Sequence, residues 1–197
     1  MDRLYITSFR AITLLLMAGV LVSCASLSIK SPSLFQLQNR EYLYKKKTWS
    51  FTGRVAMSNE KESLSLSIDW KHRKEQDFIE LTGPFGQGRT ILELTDDEVI
   101  IDDGEKRLNF VGNVDDLVAR QVGVKIPISA LKYWVIGLAK PENDFVDEEY
   151  GFTQFEWRVQ YQQMQFFEGD ELPKKIKIEN VEQGNEKLKL IIDHWGA

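Results

Sequence analysis

The sequence predicts a mainly β protein of the α+β class, built from antiparallel strands with a few helices. Apolar residues recur at every second position in several segments, which is the repeat of a strand with one buried and one wet face. Short acidic and glycine-containing turns separate these segments, as in a chain of antiparallel hairpins. Helical spacing is confined to one segment ahead of the strands and one stretch in the middle of the chain.

Length and composition fit one globular domain with a substantial core. The chain has 197 residues, of which 43% are hydrophobic and 28% charged. The net charge is -5, and the lysines are scattered apart from the run at residues 45–47. A phosphate backbone needs a basic stripe, so nucleic acid is not an expected partner.

The first 23 residues have the pattern of an export signal that is removed from the mature protein. Arg3 and Arg10 precede an apolar run over residues 11–22, the charged-then-apolar order of a signal peptide. This run is shorter than the roughly 20 apolar residues that cross a bilayer. It ends in Leu-Val-Ser-Cys at residues 21–24, which resembles the bacterial lipobox. The alternative is an uncleaved membrane anchor followed by an incidental buried cysteine.

The lipobox implies a covalent lipid on Cys24, the single cysteine of the chain. Cys24 would carry an S-diacylglycerol group, become the first residue after cleavage and then be N-acylated. Several acyl chains on one residue give stable anchoring, whereas one chain gives only marginal binding. Ala25 stands where aspartate commonly retains lipoproteins in the inner membrane, which favours the outer membrane. Residues 24–33 are then the lipidated cysteine and its tether, and residues 34–197 form one domain; no other cofactor is expected.

The elements of this domain follow in order along the chain. Residues 34–47 have helix-compatible apolar spacing with Ser33 as a possible cap, which predicts one amphipathic helix. The next two segments alternate with period two and predict strands. Their apolar residues are Trp49, Phe51, Val55 and Met57, then Leu64, Leu66, Ile68 and Trp70. Four more strands are predicted over residues 77–81, 90–94, 99–102 and 106–110.

Two helices interrupt the strands before the alternation returns. Asn113 caps the first helix, whose opening turn holds two aspartates and which Gly123 ends. Pro127 starts the second, with an apolar stripe over residues 131–138. The members of that stripe are Leu131, Trp134, Val135 and Leu138. The last strand patterns are Phe155, Trp157, Val159 and Tyr161, then Ile176 and Ile178, then Leu188, Leu190 and Ile192.

Residues that could carry catalysis or bind a metal are not grouped in the sequence. The histidines are His72 and His194, and a zinc site takes three or four clustered His, Cys or carboxylate ligands. Acidic pairs occur at residues 96–97, 102–103 and 115–116 and could supply carboxylates for calcium binding or glycoside hydrolysis. Solvated turns explain them better, because adjacent residues on a strand point to opposite faces. No Gly-x-Ser-x-Gly elbow occurs. An enzyme is therefore not expected.

The glycine-rich segment Gly83, Pro84, Phe85, Gly86 lies between two predicted strands. A phosphate loop would need a following helix, so this segment is better explained as an exposed turn. The turn leaves the Phe85 ring two possible positions. It either packs back onto the rim of the sheet or is offered to a membrane or partner.

Several stretches together resemble the LolB family of outer-membrane lipoprotein receptors, which act last in lipoprotein localisation. They follow the family order through nearly all of the mature chain: residues 49–56 (WSFTGRVA), 68–70 (IDW), 79–88 (IELTGPFGQG), 126–128 (IPI), 131–138 (LKYWVIGL), 172–176 (LPKKI) and 190–195 (LIIDHW). The resemblance implies an open half-barrel of antiparallel strands, with helices forming a lid over an apolar cavity. Period-two strands fit this shape, since curling an apolar face inward makes a concave surface suited to acyl chains.

The resemblance also implies a function and partners. The family accepts acylated lipoprotein cargo from a soluble periplasmic carrier, LolA, and inserts it into the outer membrane, where the chain would face the periplasm as a monomer. Phe85 takes the place of an exposed apolar loop residue, commonly leucine, that meets the phospholipid. Candidate lining residues, any of which could instead be core, are Val55, Met57, Leu64, Leu66, Ile68, Trp70, Leu131 and Trp134. A structural or regulatory lipoprotein and a glycolipid carrier remain alternatives.

Overall fold

The computed structural model describes residues 35–60, 62–122, 125–182 and 186–196. The predicted signal peptide, Cys24 and the tether to residue 33 lie outside the described residues, as does Gly123. Among the described residues, no helix is both long enough and apolar enough to span a bilayer.

In the part of the chain that the structure describes, eleven strands form one antiparallel sheet that is not closed. They are β1 (Thr48–Ser58), β2 (Ser63–Arg73), β3 (Gln76–Thr82), β4 (Thr90–Leu94), β5 (Glu98–Asp102), β6 (Arg107–Val111), β7 (Val146–Glu148), β8 (Gly151–Gln154), β9 (Trp157–Phe167), β10 (Asp170–Asn180) and β11 (Lys187–Gly196). The spatial order is β6-β5-β4-β3-β2-β1-β11-β10-β9-β8-β7, so β6 and β7 are its two edges. The predicted class, open antiparallel strands with a few helices, is confirmed.

The strand predictions agree closely with β3 to β6, whose bounds differ by at most one residue. In β1 the period-two residues Trp49, Phe51, Val55 and Met57 are all buried. Gly53 interrupts them at a bulge, where an added Cβ would collide with the backbone oxygen of the opposite strand. The inward face of the curled sheet therefore carries the core.

One strand prediction was wrong at its first residue. Phe155 belongs to a turn between β8 and β9, not to the strand that contains Trp157. Phe155 and Glu156 have φ values of 51° and 66°, the paired left-handed geometry of a two-residue hairpin turn. β7 and β8 were not predicted.

Two α-helices connect β6 to β7: α1 (Val114–Val122) and α2 (Ile128–Trp134). The predicted cap of α1 is confirmed, since Asn113 Oδ1 accepts the Asp116 N–H at 3.0 Å. α2 ends at Trp134, earlier than the apolar stripe predicted. The Gly137 and Leu138 N–H groups donate to the Trp134 and Tyr133 carbonyls, both at 3.0 Å, and Gly137 has a φ of 86°. This is the Schellman ending of a helix.

The segment before β1 is a 3-10 helix (Leu37–Lys45), not the amphipathic α-helix that was predicted. Its buried residues are Leu37, Arg40 and Leu43. A spacing of three places these side chains on one line in a 3-10 helix, which has three residues per turn, but not in an α-helix. This buried line is not recognisable in the sequence, because its middle member, Arg40, is a charged residue.

Candidate functional site

An apolar cavity of about 60 Å³ lies between strands on one side and both α-helices on the other. Its lining residues are Val55, Met57, Ile68, Trp70, Ile79, Leu81, Leu92, Val118, Ile126, Ile128, Leu131 and Leu188. An apolar lining gives water no hydrogen-bond partners. The site offers dispersion and burial, with no polar group to orient a hydrophilic ligand.

Most of the residues proposed from the sequence as cavity candidates do line it. These are Val55, Met57, Ile68, Trp70 and Leu131. The remaining three lie elsewhere, although on or near the same face. Leu64 is 46% exposed, Leu66 is half-buried at the edge of the core, and Trp134 is fully buried. Trp134 donates from Nε1 to Gln154 Oε1 at 3.0 Å, which makes it a core residue.

Further lining residues were missed, although the sequence carried a signal for some of them. Ile79 and Leu81 alternate along β3, and Leu92 pairs with Ile79 across β4. Parity therefore places all three on one face. Val118 and Ile128 come from the helices, and only the docking of those helices decides that they face the cavity.

The cover over the cavity, α1 and α2, is held closed by hydrogen bonds as well as by packing. Asp115 joins the two helices, because its carboxylate accepts the Ser129 N–H at 2.8 Å and the Ser129 hydroxyl at 2.7 Å. Tyr161 donates its hydroxyl to the Trp134 carbonyl at 2.8 Å. Such bonds contribute about 1 kcal/mol each. The Tyr161 bond opposes movement of α2 away from the strands, whereas the Asp115 bonds keep α1 and α2 together.

Arg40 fixes the C-terminal end of α2. Its Nε and Nη2 atoms donate to the carbonyls of Gly137 at 2.9 Å and Ile136 at 3.0 Å. A cation at the negative end of a helix dipole is favourable. Burial lowers the pKa of Arg40 from its ordinary value, and the neighbouring Tyr161 opposes that shift. Gly137 leaves room for this contact, since an added Cβ would lie 2.5 Å from Arg40 Nη2.

The loop between β3 and β4 presents Phe85 to solvent. The ring is fully exposed, at 101% of its reference area. It therefore does not pack back onto the rim of the sheet and is available to a membrane or partner. Phe85 has a φ of 62°, with Gly86 donating to the Gly83 carbonyl at 3.1 Å. A turn of this type normally places glycine or asparagine at that position. The chain thus holds a large apolar side chain in strained backbone with no packing to compensate for it.

The base of this loop is closed by an ion pair. Arg89 donates from Nε and Nη2 to the two carboxylate oxygens of Glu80, each at 2.7 Å. This hydrogen bond lowers the pKa of Glu80. The Gly83 N–H also donates to the Gln87 carbonyl at 2.9 Å. The ion pair and the Gly83–Gln87 hydrogen bond therefore hold together the two ends of the loop that carries Phe85.

Comparison with known proteins identifies the family. A family model described as "Outer membrane lipoprotein LolB" matches residues 47–195. The chain belongs to the LolB family. The protein named outer-membrane lipoprotein LolB from Chromohalobacter salexigens is 31% identical over 92% of this chain and 87% of its own length. The LolB of Halorhodospira halophila is 29% identical, with 92% of each chain covered.

A solved structure was also found, a LolA superfamily protein from Nitrosomonas europaea. It has a TM-score of 0.49 and 8% identity, and it covers 83% of this chain and 93% of its own. The family assignment rests on the sequence matches. LolB membership makes this chain an outer-membrane lipoprotein receptor of lipoprotein localisation.

Asp102, Asp103 and Asp115 have structural roles in this LolB-family chain. Asp102 and Asp103 accept backbone N–H groups of their own turn at 2.8–2.9 Å, and Asp115 joins the two helices as described. Within the described ranges, no group of three or more His, Cys, Asp or Glu side chains is placed to hold a metal ion. Asp77 instead accepts from Trp70 Nε1 at 2.7 Å and contacts His72 Nδ1 at 2.9 Å. It satisfies the polar end of a cavity-lining tryptophan.

Proposed function

We propose that this chain accepts acylated lipoproteins from a soluble LolA-like carrier and inserts them, without catalysis, into the outer membrane. It would be held on the periplasmic face of that membrane by the lipid on Cys24. The observation that supports this most directly is the apolar cavity covered by α1 and α2. Acyl chains are the ligand that a surface without polar groups suits, because burial contributes about 0.8 kcal/mol per CH₂.

Loading requires the cover to move. A cavity of about 60 Å³ does not hold an acyl chain, so the helices must separate from the strands when cargo enters. The hydrogen bonds from Arg40 and Tyr161 to α2 and its C-terminal end contribute to the cost of that step. Burial of a dozen methylenes contributes on the order of 10 kcal/mol relative to water. The carrier already covers the acyl chains, so opening is driven by the difference in burial between receptor and carrier. Cargo affinity therefore drives opening, and the helices close when cargo leaves.

Phe85 is suited to the release step. Its ring lies outside the cavity, and its exposed position leaves it available to enter a bilayer. Aromatic rings favour the membrane–water interface. An inserted ring would hold the loop against the bilayer while cargo moves from the cavity into the lipid.

The test is a transfer assay in two stages. A carrier loaded with radiolabelled lipoprotein is mixed with this chain, and cargo is followed first onto the chain and then into outer-membrane vesicles. Val118→Trp fills the cavity from α1, while Val111→Trp makes the same change on a strand-edge residue that is 77% exposed. Val118→Trp should abolish acceptance and Val111→Trp should preserve it.

Each variant is also checked for folding by circular dichroism, because overpacking costs about 1–3 kcal/mol. Normal acceptance by a folded Val118→Trp chain would show that the cavity does not bind cargo. No transfer from the carrier to the native chain would contradict the receptor function itself and favour a structural role.

A further inference from the structure

The direction of the strands gathers five turns at one end of the sheet. All neighbours are antiparallel, so β1, β3, β5, β8 and β10 run the same way. The turns that follow them therefore lie at one end, called here the Phe85 end. The turn after β8 holds Phe155 and Glu156, and the turn after β9, with Glu168, lies at the opposite end.

Phe155 repeats the unusual feature of Phe85. Both are phenylalanines at the tip of a turn, with φ values of 51° and 62° that side chains larger than asparagine rarely adopt. Phe155 is 40% exposed, and Val181 beside it is 43% exposed. The Val181 N–H donates to the Glu156 carbonyl at 2.8 Å, which joins the turn after β10 to the turn after β8. Backbone strain at an aromatic tip indicates a use for the ring, since asparagine or glycine would fold more easily.

We propose that Phe155, with Val181, forms a second contact with the bilayer, so that the Phe85 end rests on the membrane at two separate points. This rests on the proposed function, because it assumes that the Phe85 end meets the outer membrane. Two contacts fix the tilt of the domain, whereas a single ring would leave it free to rotate. A fixed tilt keeps the end of the sheet, and the cargo, at a constant distance from the lipid.

The spacing of the contacts favours a bilayer over a protein partner. β3 and β8 are six strand positions apart in the sheet, roughly 30 Å measured along it. A stable protein interface needs about 800 Å² of contiguous surface on each partner. Two aromatic side chains on turns this far apart do not provide that surface. A fluid interface accepts single aromatic side chains wherever they occur.

The charges at this end specify the type of lipid. Acidic residues outnumber basic ones in the five turns, and they include Glu62, Asp103, Glu105, Glu156 and Glu182. Lys140 adds one cation beside them, with Nζ 5.9 Å from the centre of the Phe155 ring. Anionic headgroups would repel this end, so the membrane it fits is zwitterionic. Phosphatidylethanolamine has this charge.

The experiment uses the full lipidated chain reconstituted in phosphatidylethanolamine–phosphatidylcholine vesicles. Cys24 is the only native cysteine, so a cysteine introduced elsewhere is the only free thiol once Cys24 carries lipid. An environment-sensitive dye is attached to Gln87→Cys, Glu156→Cys or Glu168→Cys. Spin-labelled lipid then reports contact by quenching. Quenching should occur at positions 87 and 156 and be absent at 168.

A second substitution tests the ring itself. Phe155→Asn suits the left-handed backbone, so it should keep or raise the melting temperature while quenching at position 156 is lost. Phe166→Asn is the matched control, because Phe166 is 76% exposed in β9 next to the opposite end. It should leave the quenching unchanged. Adding phosphatidylglycerol should reduce quenching at 156.

Quenching at 87 but not at 156 would overturn the proposal, as would equal quenching at 168 or an unchanged signal with Phe155→Asn. A drop in melting temperature with Phe155→Asn would show that the ring is structural and would also overturn it. Increased quenching with phosphatidylglycerol would overturn the lipid assignment. Failure of the receptor function is seen separately, since the carrier assay scores cargo and this one uses none.

Discussion

Replacing Phe85 by asparagine should make the protein more stable and less active. The ring is fully exposed, so its removal costs no packing. Its φ of 62° costs a non-glycine residue about 1–2 kcal/mol, and asparagine relieves part of that. A gain of about 1 kcal/mol raises the melting temperature of a domain of this size by roughly 2–4 °C. Loss of the ring from the bilayer should reduce incorporation about tenfold, because burying a phenylalanine contributes at least 1.5 kcal/mol.

Three measurements on the same variant separate the steps. Differential scanning calorimetry gives stability, transfer from the loaded carrier gives acceptance, and label recovered in outer-membrane vesicles gives incorporation. Acceptance should be unchanged, because Phe85 does not line the cavity. Phe85→Leu is the control that keeps an apolar tip, and it should retain most incorporation. A lower melting temperature, or normal incorporation by Phe85→Asn, would refute the reasoning.

Four other changes test separate parts of the interpretation. Cys24→Ser should abolish labelling by radioactive fatty acid, and label on the variant would contradict the lipobox assignment. Leu66→Glu places an unpaired carboxylate on a half-buried residue that packs against the core, so acceptance of cargo should fall. Normal acceptance with an unchanged melting temperature would show that Leu66 does not line the acyl surface. Arg40→Met leaves two carbonyls unpaired and should cost about 2–3 kcal/mol, with faster amide exchange in α2. The hydrogen bond from Arg89 lowers the pKa of Glu80, so the ionised carboxylate stabilises the fold at pH 7. Glu80→Gln should therefore lower the free energy of unfolding at pH 7, and the difference from the native chain should disappear as the pH falls and the native carboxylate is protonated.

Much of the sheet could be predicted from the sequence, because a period of two is a local pattern. It located β4 at its observed bounds and placed Val55 and Ile68 on the inward face. The buried Arg40 could not be predicted, since its partners are carbonyls 96 and 97 residues away in the chain. Leu131 and Trp134 share one stripe of α2, and only the docking of that helix decides that the first lines the cavity while the second reaches Gln154.

The small volume of the cavity is what a receptor with transient cargo should have. Ligand pockets typically measure about 300–1,000 Å³. An empty apolar pocket of the smallest such size would cost about 7 kcal/mol at roughly 24 cal/mol per Å³. A whole domain is stable by only about 5–15 kcal/mol, so a cavity kept open between cargoes would threaten the fold. At the same coefficient, the observed volume of about 60 Å³ costs about 1 kcal/mol. Binding of cargo must then supply the free energy that separates α1 and α2 from the strands. When the acyl chains leave for the bilayer, the helices pack on the strands again, and that packing favours release.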